Sequence, residues 1–206
     1  MTISAARWAA VAGAACLVCA CSSFGRLPTQ YSVHDLGATT EAPTPLALPT
    51  RTIQVRAPSW LGSSAMQYRA ADPGSLTRRA YVSNRWAAAP AELVELALQR
   101  SLAASNPNGG GCVLAVELDE FIQVFPSATQ SYGLIEARLR LSSPRDDAVF
   151  AIKPVSIKVP ATTADARGGA QALSIATGEL ATSIAAWLQQ LDSEIPGVTT
   201  GSARCR

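Results

Sequence analysis

The sequence predicts an α+β fold, an antiparallel sheet packed on one face by two main helices, and three observations predict it. Segments of alternating apolar and polar residues, Ile135-Glu136-Ala137-Arg138-Leu139-Arg140-Leu141 foremost, describe strands with one buried and one wet face. Two longer segments repeat their apolar residues at three, four and seven, the period of an amphipathic helix. The strands come in runs around those helices without strict strand-helix alternation, which favours segregated layers over a doubly wound sheet. No internal repeat is visible.

The elements follow in order. Residues 1–20 hold one cation, Arg7, no acid, and an unbroken small or apolar run from Trp8 to Ala20. That is the layout of a signal peptide, and the run is too short for a spanning helix, which needs about 20 residues. Leu17-Val18-Cys19-Ala20-Cys21-Ser22 then resembles a lipobox, with an aliphatic residue three before Cys21 and a small one directly before it. Cleavage before Cys21 would leave a lipidated N-terminus and tether at 21–29, and Ser22 in place of Asp implies, by analogy with bacterial lipoproteins, export to the outer membrane. A single domain over 30–195 and a flexible tail over 196–206 complete the expected organisation.

Strand candidates at Gln30–Leu36 and Thr52–Ala57 flank an Ala, Thr, Pro and Gly stretch from Gly37 to Thr50, which is expected to be a loop with little packing of its own. Ala65–Arg69 and Arg79–Val82 flank Asp72-Pro73-Gly74, a turn in which Pro presets φ and Gly accepts a positive one, so they read as a hairpin. A helix is expected from Pro90 to about Ala104, burying Leu93, Val94, Ala97, Leu98 and Leu102 and exposing Glu92, Glu95 and Gln99. Pro107 and the glycines that follow end it. Cys112–Phe125, Leu134–Ser142 and Ala148–Val159 are the long strands, with Pro154 marking an edge or a bulge. Gly168 and Gly169 precede the longest helix, about Ala170–Leu191, whose stripe is Leu173, Leu180, Ile184, Trp187, Leu188 and Leu191.

Charge and motifs exclude several function classes. Without Arg7 the mature chain has 16 basic against 15 acidic side chains, a net charge of +1 that implies no nucleic-acid partner. The single histidine, His34, has no cysteine near it, so neither a zinc site nor a Ser-His-Asp arrangement has its donors. No Walker, dinucleotide or nucleophile-elbow motif occurs. Asp119 and Glu120, adjacent on a strand, should point to opposite faces and form no catalytic pair. The expectation is no enzyme, no metal and no cofactor. In the mature chain Cys112 and Cys205 remain beside Cys21, and export permits a disulfide between them; a buried Cys112 with a free Cys205 is the alternative.

One stretch is richer in anchors than a scaffold requires: Trp60, then Met66, Tyr68 and Arg69, then Asn84, Arg85 and Trp86. Aromatics and arginines near turns and strand ends form the candidate partner interface. Against this, Trp86 directly precedes a helix and is expected to pack under it, and Trp60 and Tyr68 could equally be core.

The order Ile53-Gln54-Val55, Met66-Gln67-Tyr68-Arg69, Asn84-Arg85-Trp86, a helix from Pro90, and Val116-Glu117-Leu118-Asp119-Glu120-Phe121 resembles the ABC-type transport auxiliary lipoprotein family, which includes paraquat-inducible protein C. The resemblance runs from Tyr31 to about Leu191. It implies an outer-membrane-anchored periplasmic protein that works with an MCE-domain partner and an ABC transporter in moving lipid between membranes. The membrane is met through the lipid on Cys21, the protein binds no nucleotide itself, and self-association into a homo-oligomer stays open. An envelope-assembly or ligand-binding periplasmic lipoprotein is the alternative reading.

Overall fold

A computed structural model describes residues 30–37, 42–70, 76–103 and 110–194. Cys21, the Asp72-Pro73-Gly74 turn, Cys205 and the tail lie outside the described residues. From Tyr31 onward the chain forms one compact unit.

The fold is α+β. Strands β1 (Ser32–His34), β3 (Thr50–Arg56), β4 (Ala65–Arg69), β5 (Arg79–Trp86), β7 (Cys112–Ser127), β8 (Gln130–Ser142) and β9 (Val149–Pro160) make the main sheet. A small second sheet pairs β2 (Thr44–Pro45) with β6 (Leu102–Ala103). The helices are α1 (Pro90–Ser101) and α2 (Ala166–Glu194). The strand order is β1-β5-β4-β7-β8-β9, and β3 also pairs with β7. Because β8 occupies one edge of β7 along its length, β3 and β4 share the other: β3 lies beside Cys112–Glu117 and β4 beside Gln123 and Val124.

The expected antiparallel pairing holds through β7-β8-β9 and between β4 and β5, whereas β1 with β5, β3 with β7 and β4 with β7 are parallel, so the sheet is mixed. Pro154 sits on β9, the last strand in the order, where its missing N–H interrupts no outer ladder.

The core lies between the helices and one face of the sheet. The alternation Leu114, Val116, Leu118 on β7 and Ile135, Leu139, Leu141 on β8 meets Leu93, Val94 and Leu98 of α1 and Leu173, Leu180, Ile184 and Leu188 of α2. Each such side chain contributes roughly 1.5–3 kcal/mol when fully buried. The whole expected stripe of α2 is buried, and Gly178 on the same helix faces open space.

Four expectations are corrected. The Gly37–Thr50 stretch is not an idle loop: Leu46 and Leu48, two residues apart, are buried in the core, and Pro49 O accepts the Cys112 N–H at 2.8 Å. Helix α1 stops at Ser101 because Leu102 and Ala103 turn extended to pair with β2. Glu95 is not simply solvated: its Oε2 accepts the Val55 N–H at 2.8 Å, satisfying a donor on the free edge of β3. Helix α2 starts four residues early, at Ala166, because Asp165 caps it. Its Oδ1 accepts from Gly168 N and from Thr163 Oγ1, each at 2.8 Å, and these donors, the Gly168 N–H first, hold the carboxyl below its usual range.

The two glycines therefore lie inside the helix. A Cβ at Gly169 would sit 2.0 Å from Gln123 Oε1, so glycine there lets α2 close onto β7. Gln123 is fully buried and amply partnered: Oε1 accepts from Tyr81 Oη (2.9 Å), and Nε2 donates to Ser131 Oγ (2.8 Å) and Asp165 O (3.0 Å). Burial, aided by the neighbouring Tyr68 and Asp165, raises the Tyr81 phenol from 10.0 to about 12. The folded state thus keeps a proton that the unfolded chain releases, and stability should decline as pH rises from about 10 to about 12. Urea midpoints across that window would read the slope, and Tyr81→Phe should abolish it.

Cys112 is fully buried and disulfide-bonded.

Candidate interaction face

The face of the sheet turned away from the helices is covered by neither. Alternation places Glu117 of β7 and Arg138 and Arg140 of β8 on it, with Arg56 of β3 in register opposite Glu117. Arg138 forks onto Asp119 (Nε to Oδ2 3.0 Å, Nη2 to Oδ1 2.9 Å), and Arg140 Nη1 reaches Glu117 Oε1 at 2.6 Å. The Asp119 hydrogen bonds raise the Arg138 pKa further.

Asp119 and Glu120 do not point to opposite faces as expected. A register shift between Leu118 and Glu120 inserts a residue, so Leu118 and Phe121 both face the core and the two acids between them both face out. Glu120 is claimed by Arg69 (2.6 Å) and Arg78 (2.8 Å), which offset its placement opposite Glu136.

The same arginine holds a turn in place. Arg78 Nη1 donates to Gln67 Oε1 at 3.0 Å, and Gln67 Nε2 donates to the Trp60 carbonyl at 2.6 Å. Trp60 belongs to a 3-10 turn (Ser59–Leu61) that bridges the gap between β3 and β4 on their shared edge of β7. Leu61 is buried beneath the turn, while Trp60 is 54% exposed. An open groove of about 310 Å³ runs beside it, lined by Arg56, Pro58, Trp60, Glu117, Asp119 and Arg138. Trp60 is thus an exposed aromatic held by a buried neighbour and a polar relay, with ion pairs along the groove beside it.

The structure divides the candidate set. Trp60 is free to make contacts. Met66 is fully buried and Trp86 is 2% exposed, its ring edge-on to Phe121 at 5.4 Å, so both belong to the core and cannot anchor a partner. Tyr68 is half-buried on the helix side, against Tyr81 (4.7 Å) and Phe125 (5.7 Å). Arg69 serves the Glu120 cluster, Asn84 Oδ1 meets His34 Nε2 at 2.8 Å, and Arg85 is exposed with its guanidinium 3.5 Å over the Tyr31 ring. Sequence reasoning missed Tyr31 and Val33, exposed on β1, because three residues of strand carry too short a pattern to assign a face.

Among the described residues no group of His, Cys, Asp or Glu could hold a metal, and no helix is long and apolar enough to cross a membrane.

The model of the ABC-type transport auxiliary lipoprotein component family matches residues 35–185, from the end of β1 into the second half of α2. The chain belongs to this family. The match takes in every strand of the mixed sheet except β1, the Trp60 turn, all of α1 and the larger part of α2 of this auxiliary lipoprotein. Among solved structures, the DUF330 protein XCC0632 from Xanthomonas campestris is similar at 18% identity and a TM-score of 0.66, over 80% of this chain and 99% of that one. A second, an uncharacterized protein, is similar at 13% identity and a TM-score of 0.60, over 77% and 99% respectively. At these identities the likeness is one of fold. No curated protein matches the auxiliary lipoprotein by sequence. Its family role, auxiliary to a transport system, points away from an enzyme and to association with a periplasmic transport assembly at a membrane.

Proposed function

We propose that this protein is the outer-membrane-anchored accessory lipoprotein of an ABC/MCE-type intermembrane lipid transport system, docking the transport conduit to the membrane. The family match supports the transport role, and the lipobox supports an acylated Cys21, followed by Ser22, as the anchor. Several acyl chains on one cysteine make a stable attachment, at roughly 0.8 kcal/mol per buried methylene. The bridge of Cys112 goes to Cys205, which is left once Cys16 and Cys19 depart with the signal peptide and Cys21 is acylated. Intact mass of the protein from membranes tests both: diacylglyceryl on the N-terminal cysteine, and a chain lighter by the hydrogen pair of one disulfide.

The observation that carries the docking role is Trp60, a large exposed aromatic fixed in place beside a groove of ion pairs. The MCE-domain partner meets this face. Trp60→Ala should reduce recovery of that partner in mild detergent by roughly 30-fold, the loss of about 2 kcal/mol typical of an aromatic hot spot, with the unfolding midpoint unchanged. Recovery of the partner at wild-type level would remove Trp60 from the interface, and its absence from wild-type preparations would remove the MCE reading.

A further inference from the structure

The outermost strands carry a second surface. β1 ends the sheet and pairs in parallel with the last three residues of β5, Ser32 opposite Asn84 and Val33 opposite Arg85. Four apolar residues on this edge or just before it are open to solvent: Leu76 (98%), Val82 (86%), Val33 (65%) and Tyr31. Arg79 and Arg85 are exposed among them, and Arg85 lies flat over Tyr31. Neither residues 30–34 nor residues 76–86 include an acid. Arg78, the remaining cation of the segment, is already engaged by Glu120.

We infer that this β1–β5 edge rests on the bilayer surface, with Tyr31, Val33, Leu76 and Val82 in the interfacial zone and Arg79 and Arg85 on phosphate oxygens of anionic phospholipid. The chain itself argues for that occupant. The tether joins the domain at β1, ten residues after Cys21, and ten extended residues span at most about 35 Å. This step rests on the proposed acylation of Cys21. A domain so held keeps the edge where its chain enters close to the headgroups. Exposed arginines without neighbouring acids are drawn to an anionic surface, and aliphatic and aromatic side chains beside them partition into its boundary. A protein surface built for the Trp60 groove would have to complement fixed ion pairs of both signs; the charged side chains within residues 30–34 and 76–86 are arginines alone.

The test uses the mature chain from residue 21 with Cys21→Ser, which has no acyl group, and vesicles of phosphatidylethanolamine with phosphatidylglycerol. Because residues from Tyr31 onward form one compact unit, the domain keeps its fold without the signal peptide. It should co-sediment with these vesicles and be released by salt only in part, the arginine contribution being screened and the apolar one not. Charge reversal in R79E/R85E should weaken partition by at least about tenfold, as expected of two cations at an anionic surface. V33S/V82S should remove the binding that survives high salt, and R145E, in the turn between β8 and β9, should leave partition unchanged. Circular dichroism melts check that each variant is folded. The inference is overturned if the domain binds no vesicle, if R79E/R85E partitions like the parent, if R145E loses as much, or if the exposed edge proves to join two copies in solution instead. Acylation is read separately by intact mass. Partition without acylation would overturn the lipoprotein reading alone, and acylation without partition would overturn only this one.

Discussion

Trp86→Ala should lower the stability of the fold by about 4 kcal/mol, within the range for deleting a large buried aromatic. The ring is 2% exposed at the end of β5, edge-to-face with Phe121 at 5.4 Å and in T-shaped contact with His34 at 6.5 Å. Truncation removes its apolar burial and both ring contacts. It leaves a cavity in the core beside Phe121. A shift of the urea midpoint with an unchanged slope is the expected record. The contrast with Trp60→Ala is decisive: one substitution should cost stability, the other binding. If Trp86→Ala left the midpoint in place, the burial of its ring against Phe121 in the core would be wrong.

Gly169→Ala should cost about 3 kcal/mol, at the upper end for a group forced into a packed core. Its Cβ would arrive 2.0 Å from Gln123 Oε1 and 2.4 Å from the carbon that bears it. A long side chain can normally step aside, but this one cannot do so cheaply. Gln123 is fully buried and held by Tyr81, Ser131 and the Asp165 carbonyl. Rotating it away strands a buried amide and a phenol, each costing about 1–3 kcal/mol if left unsatisfied. The alternative, lifting the start of α2 from the sheet, would expose Ala170 and Leu173. Calorimetry would show a lowered Tm. A double variant, Gly169→Ala with Gln123→Ala, should recover part of the loss, because the smaller side chain vacates the volume the new methyl needs. Without such recovery, the clash with Gln123 would not be the cause.

Periodicity made the layers legible. The stripes on α1 and α2 and the alternation on β8 depend only on neighbours within a few residues, and the core formed where they point. What stayed hidden depends on distant partners. Leu46 and Leu48 sit in a stretch of Ala, Thr and Pro whose composition says loop, and partners distant in sequence, β6 beside β2 and Cys112 at Pro49, hold that stretch against the core. The glycines before Ala170 look like a break, yet Gly169 marks a close approach of α2 to Gln123 of β7, and Gly168 one to Thr163 just ahead of the helix. Asp119 and Glu120 could not be placed without the bulge, because an inserted residue reverses every later face assignment. The candidate site was half legible for the same reason. Trp60, Met66 and Trp86 are alike as residue types near turns and strand ends; the pairing of β4 with β5 and β7 buries two of them and leaves the third outside.

The shared edge of β7 has a kinetic consequence. β3, and the β4–β5 pair through β4, join the main sheet beside β7, where Thr50 stands opposite Cys112 and Tyr68 opposite Gln123. These are long loop closures, and parallel pairing at such sequence separation is intrinsically slow because chain entropy is lost before the contacts form. The first half of the domain therefore cannot complete its sheet while β7 is still unmade. On the proposed export of the chain that delay is a gain: the segment that would thread a translocation channel first is also the one least able to complete its sheet ahead of it.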